Sequence, residues 1–432
     1  MSSIQAIRGT RDILPSESPL WAKIEEVARN ALASYAYREI RTPVFEKTEL
    51  FARGIGEATD AVGKEMYSFE DRGGRSIALR PEITAGLVRA FIQNKLFALG
   101  GVQRLWHLGP AFRYERPQAG RQRQFHQLDV EILGSRDARA DVEIIAIATQ
   151  ILNTLGLKAL SLDLNSVGSS ADRQAYRDAL VAYFTPYKDE LDTASQDRLT
   201  RNPLRILDSK DKRTQEIVVD APSLLDYLSD DSQRHFDAVQ RLLTNIGIDF
   251  SINPRLVRGL DYYTHTAFEI QSSDLGAQAT VCGGGRYDGL VNQLGGPQTP
   301  AIGFGMGIER LIILLEQMGR YSTTPELDIY LISRGEKAEL ASAKLANTLR
   351  QSGYSVEVDL SGSAFGKQFK RAGRSGAVVG LILGDAEADA EKVQLKWLAS
   401  GEQSELSQAD LLSQAADLQA KIAQVRNQTS VA

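Results

Sequence analysis

Hydrophobic and polar residues alternate along residues 104–134, which is the pattern of strands that are buried on one side only. The second half of this stretch has an apolar face made of His126, Leu128, Val130 and Ile132, and a polar face made of Gln127, Asp129 and Glu131. In the first half, Phe112 and Tyr114 share one face, whereas Arg113 and Glu115 share the other. The pattern predicts an antiparallel hairpin with one side for a core and a polar side that can hold something small.

The residues that join the two halves form a basic arm, residues 116–123. No acid lies between Glu115 and Asp129, whereas Arg116, Arg121 and Arg123 fall within that interval. Guanidinium groups bind phosphate oxygens well, so we expect the basic arm to meet phosphates. Charged residues on a strand are also commonly just a solvated face, and the hairpin alone leaves that alternative open.

Helical and strand periods predict the other elements of the first part of the chain. Helices are predicted at residues 20–35, 85–94 and 139–155, and strands at residues 37–45, 65–70 and 76–79. Pro43 interrupts the strand at 37–45, and because proline cannot donate to a sheet ladder, we expect that strand at an edge or an interface. Residues 169–247 lose all strand signals, and we interpret them as a helical insertion.

Strand patterns return after the insertion, at residues 256–270, 279–281 and 300–306, and a helix is predicted at 307–318. Residues 321–325 are interpreted as a linker. Beyond the linker, strands and helices alternate in segments 327–332, 338–351, 354–358, 367–373, 378–383, 393–398 and 409–425. This alternation predicts a small, separate α/β domain.

Composition narrows the classes of function. A formal net charge of −5 over 432 residues argues against a protein that coats nucleic acid through bulk charge, so nucleic-acid contacts must come from local patches. Cys282 is the single cysteine, which excludes an internal disulfide or a multi-cysteine zinc site, and we predict no protein-bound metal. Without an apolar run of membrane-spanning length or a signal-peptide core, a cytoplasmic protein with no membrane partner is expected.

Three further stretches combine glycine with ionisable residues: 256–263, 280–289 and 303–311. The second contains three consecutive glycines, which weaken a strand unless a ligand or another backbone comes close, although a tight turn is an alternative. No helix opens directly after them, so they are not a dinucleotide-binding fingerprint. Taken singly, Arg258 and Arg310 could equally be solvated surface residues.

Together and in this order, the stretches resemble the class II aminoacyl-tRNA synthetases, and among them the histidyl-tRNA synthetase family, over nearly the whole chain. The hairpin is similar to the second class-defining motif, residues 301–315 to the third and residues 37–53 to the first. Residues 256–263 and 280–289 resemble the two histidine-specific motifs, and residues 7–15 match the family as well.

The resemblance implies a fold and a domain organisation. We expect an α+β catalytic core at residues 1–325 with a mixed, mainly antiparallel sheet and the helical insertion at about 169–247. Residues 326–432 would be an anticodon-binding α/β domain, and the stretch similar to the first motif implies a homodimer. The family activates L-histidine with ATP and Mg²⁺, giving histidyl-adenylate and pyrophosphate, and then transfers histidine to the 3′ end of tRNA(His).

The resemblance also assigns roles to residues. Arg113 would bind the α-phosphate, Arg310 the far phosphate of ATP, and Arg258 the region between the substrate carboxylate and the α-phosphate. Histidine would be held by Glu82, Ile83, Thr84, Arg113, Gln127, Glu131, Arg258, Tyr262 and Tyr263. Among these, Glu131 and Tyr263 would bond the imidazole, because neutral imidazole offers one donor and one acceptor. Contacts with tRNA are expected from Arg116, Arg121, Arg123, Lys367, Lys370, Arg371 and Arg374.

Two alternatives belong to the same fold. A catalytically inactive paralogue would bind histidine as the regulatory subunit of ATP phosphoribosyltransferase, but such paralogues typically lack the C-terminal domain and parts of the catalytic motifs. Here Arg113, Arg258 and Arg310 are all present, and the chain continues for roughly a domain's length after the third motif. Another class II specificity, such as prolyl or threonyl, is disfavoured by Glu131 and by the Arg-Gly-Leu-Asp-Tyr-Tyr run that begins at Arg258.

Overall fold

The structure is a computed structural model that describes residues 3–56, 59–207, 209–260, 262–278, 280–319 and 327–429. The chain forms two compact units, Met1–Tyr321 and Ser322–Ala432. The predicted linker at 321–325 lies outside the described residues. So do Asp261 and Ala279, each of which falls within a predicted strand.

The strands of the first unit are β1 (Arg38–Glu39), β2 (Phe45–Lys47), β3 (Ser68–Glu70), β4 (Ser76–Leu79), β5 (Gln103–Phe112), β6 (Gln124–Leu133), β7 (Leu160–Ser166), β8 (Ser251–Ile252), β9 (Thr264–Ser272), β10 (Thr280–Arg286) and β11 (Ala301–Gly307). Eight of them form one sheet in the order β1-β5-β6-β11-β10-β9-β7-β8, and β2, β4 and β3 form a small second sheet. Only the two outermost pairs of the large sheet are parallel. The predicted mixed, mainly antiparallel sheet is therefore confirmed.

The helices of this unit are α1 (Ser18–Ser34), α2 (Thr48–Ile55), α3 (Asp60–Gly63), α4 (Thr84–Gln93), α5 (Ala138–Thr154), α6 (Ser170–Phe184), α7 (Thr193–Arg201), α8 (Lys212–Val218), α9 (Asp230–Asn245), α10 (Leu290–Gln293) and α11 (Ile308–Met318). One face of the large sheet packs against α1, α5, α9 and α11. Leu128, Val130 and Ile132 of β6 are buried there, as their period predicts. The polar face of β6 is thus left for the functional site.

The predicted helical insertion consists of two parts that pack against different cores. Helices α6 to α8 and the short 3₁₀ turns beside them surround their own core, which includes Tyr176, Leu180 and Phe184. Helix α9 instead contributes Phe236 and Val239 to the main core, against α5.

The second unit contains a five-stranded sheet in the order β13-β12-β14-β15-β16. Its elements are β12 (Ile329–Arg334), α12 (Glu336–Gln351), β13 (Val356–Val358), α13 (Phe365–Ala372), β14 (Val379–Gly384), α14 (Asp385–Asp389), β15 (Lys392–Trp397), β16 (Gln403–Ser407), α15 (Gln408–Ser413) and α16 (Ala415–Thr429). The α/β alternation is confirmed, but α14 and β16 were not predicted, and the helix expected at 409–425 is two helices. Both β16 and α14 are short and largely exposed, so hydrophobic periodicity marks them poorly.

Two predictions about the first unit were wrong in detail. Strand character was expected from residue 256, with the strand itself entered at Thr264; β9 does begin at Thr264, but residues 256–260 and 262–263 are turns and irregular backbone. At the outer end of the hairpin, Tyr114 is 55% exposed and contributes nothing to the core, because β5 ends at Phe112. The three consecutive glycines, in contrast, lie inside β10 and do not form a turn.

Candidate active site

Glycines on two central strands make room for polar side chains, those of β6 and that of Arg258. Gly303 of β11 is the cross-strand partner of Glu131, and Gly305 is the partner of Asp129. A Cβ atom at Gly303 would overlap the Glu131 carboxylate, and one at Gly283 of β10 would lie 2.5 Å from the Arg258 guanidinium. These glycines are therefore required because neighbouring side chains lie directly over the strand backbone.

The polar side chains surround a cavity of about 300 Å³. Its lining includes Glu82, Thr84, Arg113, Gln127, Asp129, Glu131, Arg258, Tyr262, Tyr263 and Tyr287. The structure thus brings together all of the residues that the sequence assigned to histidine except Ile83. The Ile83 side chain is fully buried directly before α4 and does not line the cavity.

Glu131 occupies the buried inner part of this cavity and is 1% exposed. Its carboxylate accepts hydrogen bonds from the Thr84 hydroxyl at 2.8 Å and from the Tyr287 hydroxyl at 2.6 Å. Burial raises the pKa of Glu131 to about 8, although both hydrogen bonds act in the opposite direction. A polar group so placed is held in one orientation and can bond a ligand that enters the cavity.

Glu82 stands at the start of α4. One of its carboxylate oxygens accepts a hydrogen bond from the Ala85 amide at 2.9 Å, and the other, Oε2, has no partner among the described residues. Burial raises the pKa of Glu82 above its ordinary value. Gln127 likewise has a buried side-chain oxygen without a partner in the described part of the chain. The cavity therefore contains hydrogen-bond acceptors that a donor group of a ligand can satisfy.

Two arginines line the cavity. Arg113 donates to the Pro81 carbonyl at 2.8 Å and lies 5.5 Å from the centre of the Phe125 ring. Arg258 forms an ion pair with Glu269 and lies 5.7 Å from the centre of the Tyr263 ring. Backbone, ring and carboxylate contacts thus hold both guanidinium groups in place.

A second cavity, of about 200 Å³, adjoins the first and shares Arg113, Arg258 and Gln127 with it. Arg310 lines this cavity and donates to the carbonyls of Thr280 and Gly120. Arg121 reaches it too and pairs with Glu115 at 3.1 Å. The second cavity is therefore rich in arginine, which suits a chain of phosphates.

The three arginines of the basic arm point to different surroundings. Arg123 lies 4.0 Å from the centre of the Tyr114 ring and donates to the Glu115 carbonyl. Arg116 is exposed, whereas Arg121 lines the second cavity.

In the second unit, Lys367, Lys370 and Arg374 are exposed on or just after α13. Arg371 is bound by the nearly buried carboxylate of Asp359 at 2.7 Å and also contacts Ser361 and Ser363. The predicted basic stripe is therefore not uniform, because one of its four members is engaged in an ion pair.

Sequence patterns gave no role to Tyr287 or Asp129. Tyr287 bonds Glu131 across 156 positions of the chain, a distance that no local pattern reveals. The alternation placed Asp129 on the polar face of the hairpin with Gln127 and Glu131, but it assigned no ligand to Asp129. Within the described ranges, no cluster of His, Cys, Asp and Glu could hold a metal ion. No described helix is long and apolar enough to cross a membrane.

Comparisons with known proteins show which family the chain resembles. Residues 9–311 match the family model "Histidyl-tRNA synthetase", and residues 328–418 match the model "Anticodon binding domain". A curated relative from Picosynechococcus sp., "Histidine--tRNA ligase", is 66% identical over 99% of this chain and 100% of its own length. A relative of the same name from Synechocystis sp. is 67% identical over 98% of this chain and 94% of its own length.

Among solved structures, apo histidyl-tRNA synthetase from S. aureus is similar with a TM-score of 0.81 and 37% identity, over 95% of this chain and 99% of that one.

Proposed function

The chain belongs to the histidyl-tRNA synthetase family and ligates histidine to tRNA with ATP, and from this premise we propose how its residues divide the work. The first cavity binds histidine and the second binds the phosphates of ATP. The observation that carries this proposal is the wall that the two cavities share, because it contains Arg113 and Arg258. The histidine carboxylate and the α-phosphate would meet at that wall.

Activation joins two anions, so the protein must neutralise charge and fix geometry. Arg113 and Arg258 do this at the reacting groups, because a guanidinium can bond a carboxylate and a phosphate oxygen at once. Arg310 binds the far phosphate in the second cavity. Their positions are supported by the backbone and carboxylate contacts that hold each guanidinium before ATP arrives.

Histidine is bound through its imidazole and its α-ammonium group. The imidazole lies between Glu131 and Tyr263, with Tyr262 beside it, and Tyr287 orients Glu131. Glu82, Thr84 and Gln127 bind the ammonium group, a role that the unpartnered oxygens of Glu82 and Gln127 support. A site of this kind rejects amino acids that leave its buried polar groups unpaired.

The phosphate oxygens of ATP would hold Mg²⁺ in the second cavity. The carboxylates that line the second cavity are already hydrogen-bonded, Glu115 to Arg121 and Glu309 to His126. We therefore propose that phosphate oxygens and water molecules are the main ligands of this ion and that protein carboxylates are not. Its chemistry there is to neutralise phosphate charge.

The basic arm contacts the acceptor end of tRNA, with Arg116, Arg121 and Arg123 as candidate residues. The second unit binds the anticodon region, and exposed Lys367, Lys370 and Arg374 support this assignment more directly than Arg371 does. We retain residues 1–325 as the catalytic domain, about 169–247 as its insertion, and 326–432 as the anticodon-binding domain.

A homodimer is proposed from the stretch similar to the first motif. Phe45 is 57% exposed there, so apolar surface is available for a second copy. Sedimentation of the full chain tests this assembly. Because translation consumes aminoacyl-tRNA, we also propose that the chain works in the cytoplasm.

The residue roles are tested by ATP–pyrophosphate exchange. Glu131→Ala should raise the KM for histidine far more than the KM for ATP, and Arg310→Ala should do the reverse. Because each variant should affect a different substrate, each serves as the control for a general loss of folding or activity in the other. Equal losses for both substrates in either variant would contradict the division into two cavities. The regulatory alternative is not favoured, because relatives at 66% and 67% identity are named as ligases.

A further inference from the structure

Asp129 is a buried acid in the histidine cavity to which the roles above assign nothing. It is 3% exposed on β6, on the same face as Gln127 and Glu131, and it lines the cavity. Its Oδ2 atom has no hydrogen-bond partner among the described residues. Burying an acid without a partner is unfavourable, so a role in packing alone does not account for it.

The nearest basic side chains do not serve as its partner. His107 stands opposite Asp129 on β5, and its Nδ1 lies 2.7 Å from the Ile40 carbonyl, which can only accept. Nδ1 therefore carries the hydrogen of a neutral imidazole, and Nε2 is an acceptor that cannot donate to Asp129. Burial, reinforced by Arg80, lowers the pKa of His107 to about 4, in agreement with a neutral ring.

Arg80 is engaged elsewhere. Its guanidinium donates to the Pro110 carbonyl at 2.6 Å and to the Thr42 carbonyl at 3.1 Å. It acts on Asp129 only through its charge. Burial, with Glu131 and Glu82 close by, raises the pKa of Asp129 well above its ordinary value, although the charges of Arg80 and Arg113 act in the opposite direction. Neither guanidinium forms a hydrogen bond to the Oδ2 atom.

Three buried oxygens in this one cavity therefore have no donor in the described chain: Glu82 Oε2, Gln127 Oε1 and Asp129 Oδ2. An ammonium group has three N–H donors and a positive charge. A primary ammonium has one donor for each of these oxygens and a charge that compensates the buried acids, which no neutral ligand group offers.

We propose that Asp129 is a further substrate-binding residue, which accepts a hydrogen bond from the α-ammonium group of histidine beside Glu82 and Gln127. This inference rests on the proposed ammonium site and adds a specificity determinant to it. Asp129 makes the cavity select against imidazole compounds that lack an amino group, because such ligands leave a buried carboxylate unpaired.

The test compares ligands that differ in one group. Asp129→Asn is nearly isosteric, and it is assayed in full-length protein by histidine-dependent ATP–pyrophosphate exchange. Histidinol, which keeps the ammonium group, and imidazolepropionate, which lacks it, serve as competitive inhibitors. Asp129→Asn should raise the histidine KM and the histidinol inhibition constant by about 10- to 100-fold, the loss of a charge-assisted hydrogen bond. The inhibition constant of imidazolepropionate should not rise, because Asp129→Asn removes the charge that this ligand leaves unpaired, and the KM for ATP should stay within about twofold.

Two further variants separate the possible outcomes. Asp249→Asn makes the same substitution at an exposed site and should change none of these constants. Glu82→Gln tests the ammonium site itself. If Glu82→Gln raises the inhibition constant of histidinol but not that of imidazolepropionate, and Asp129→Asn changes neither, the inference about Asp129 is wrong and the ammonium site at Glu82 is retained. If neither variant distinguishes them, both assignments fail. A rise for both inhibitors in Asp129→Asn would show a structural role and overturn the inference.

Discussion

Glu131→Gln should stabilise the ligand-free protein at neutral and alkaline pH while it impairs histidine activation. Glu131 is 1% exposed, and burial raises its pKa from 4.5 to about 8. The carboxylate is therefore less favourable in the folded protein than in the unfolded chain. Glutamine has nearly the same shape and carries no charge, so the variant does not bear that penalty.

The sign and size follow from proton linkage. The folded pKa lies above the unfolded pKa, so the Glu131 contribution to stability is greatest at low pH and is lost as pH rises towards 8. Each pH unit within that window changes the free energy of unfolding by about 1.4 kcal/mol. Between pH 5 and pH 8, the stability of the variant relative to the natural protein should rise by roughly 4 kcal/mol.

Urea unfolding at pH 5, 6.5 and 8, followed by tryptophan fluorescence, measures this difference. Trp21 and Trp106 report from the first unit, where both are buried. Glu316→Gln, at an exposed position of α11, is the matched control and should show no pH-dependent difference. A Glu131→Gln difference that stayed constant from pH 5 to pH 8 would refute the assignment of a raised pKa to this carboxyl.

Three other changes have defined outcomes. Gly303→Ala introduces a Cβ that overlaps the Glu131 carboxylate, so the histidine KM should rise by about tenfold or more in the exchange assay while the ATP KM changes little. Arg286→Met leaves the fully buried Asp141 without the guanidinium that binds it, and it should lower the free energy of unfolding by about 3–5 kcal/mol in urea titrations. A loss below about 1 kcal/mol there would contradict a buried ion pair. Lys370→Ala should weaken tRNA binding and its salt dependence without changing pyrophosphate exchange, and a change in exchange would contradict a role confined to tRNA.

Local patterns predicted much of the fold. Period-two alternation alone identified the hairpin and its two faces, and the observed register pairs β5 with β6 along their full length. Helical periodicity likewise predicted α1, and the strand–helix alternation predicted the second unit. Short exposed elements such as β16 were missed, because few of their side chains are buried and no apolar period arises.

The candidate site could be predicted from the sequence only in part. Resemblance supplied the roles of Arg113, Glu131 and Arg258, and the structure brings these residues into adjoining cavities. The resemblance gave no role to Tyr287, whose hydrogen bond to Glu131 joins residues 156 positions apart. Nor does the sequence show that Arg371 is paired, since Asp359 lies 12 positions earlier in the chain and only the tertiary structure brings the two side chains together.

The sequence by itself thus determined which residues face the core, which are polar, and in what order the motifs follow. Tertiary structure alone decided which polar groups have partners. Glu131 accepts two hydrogen bonds, whereas Asp129, two residues earlier on the same face, has an oxygen with none in the described chain. The reason is physical: alternation along a strand depends on backbone geometry within a few residues, whereas hydrogen bonding and pKa depend on what other strands and helices bring within 3 Å.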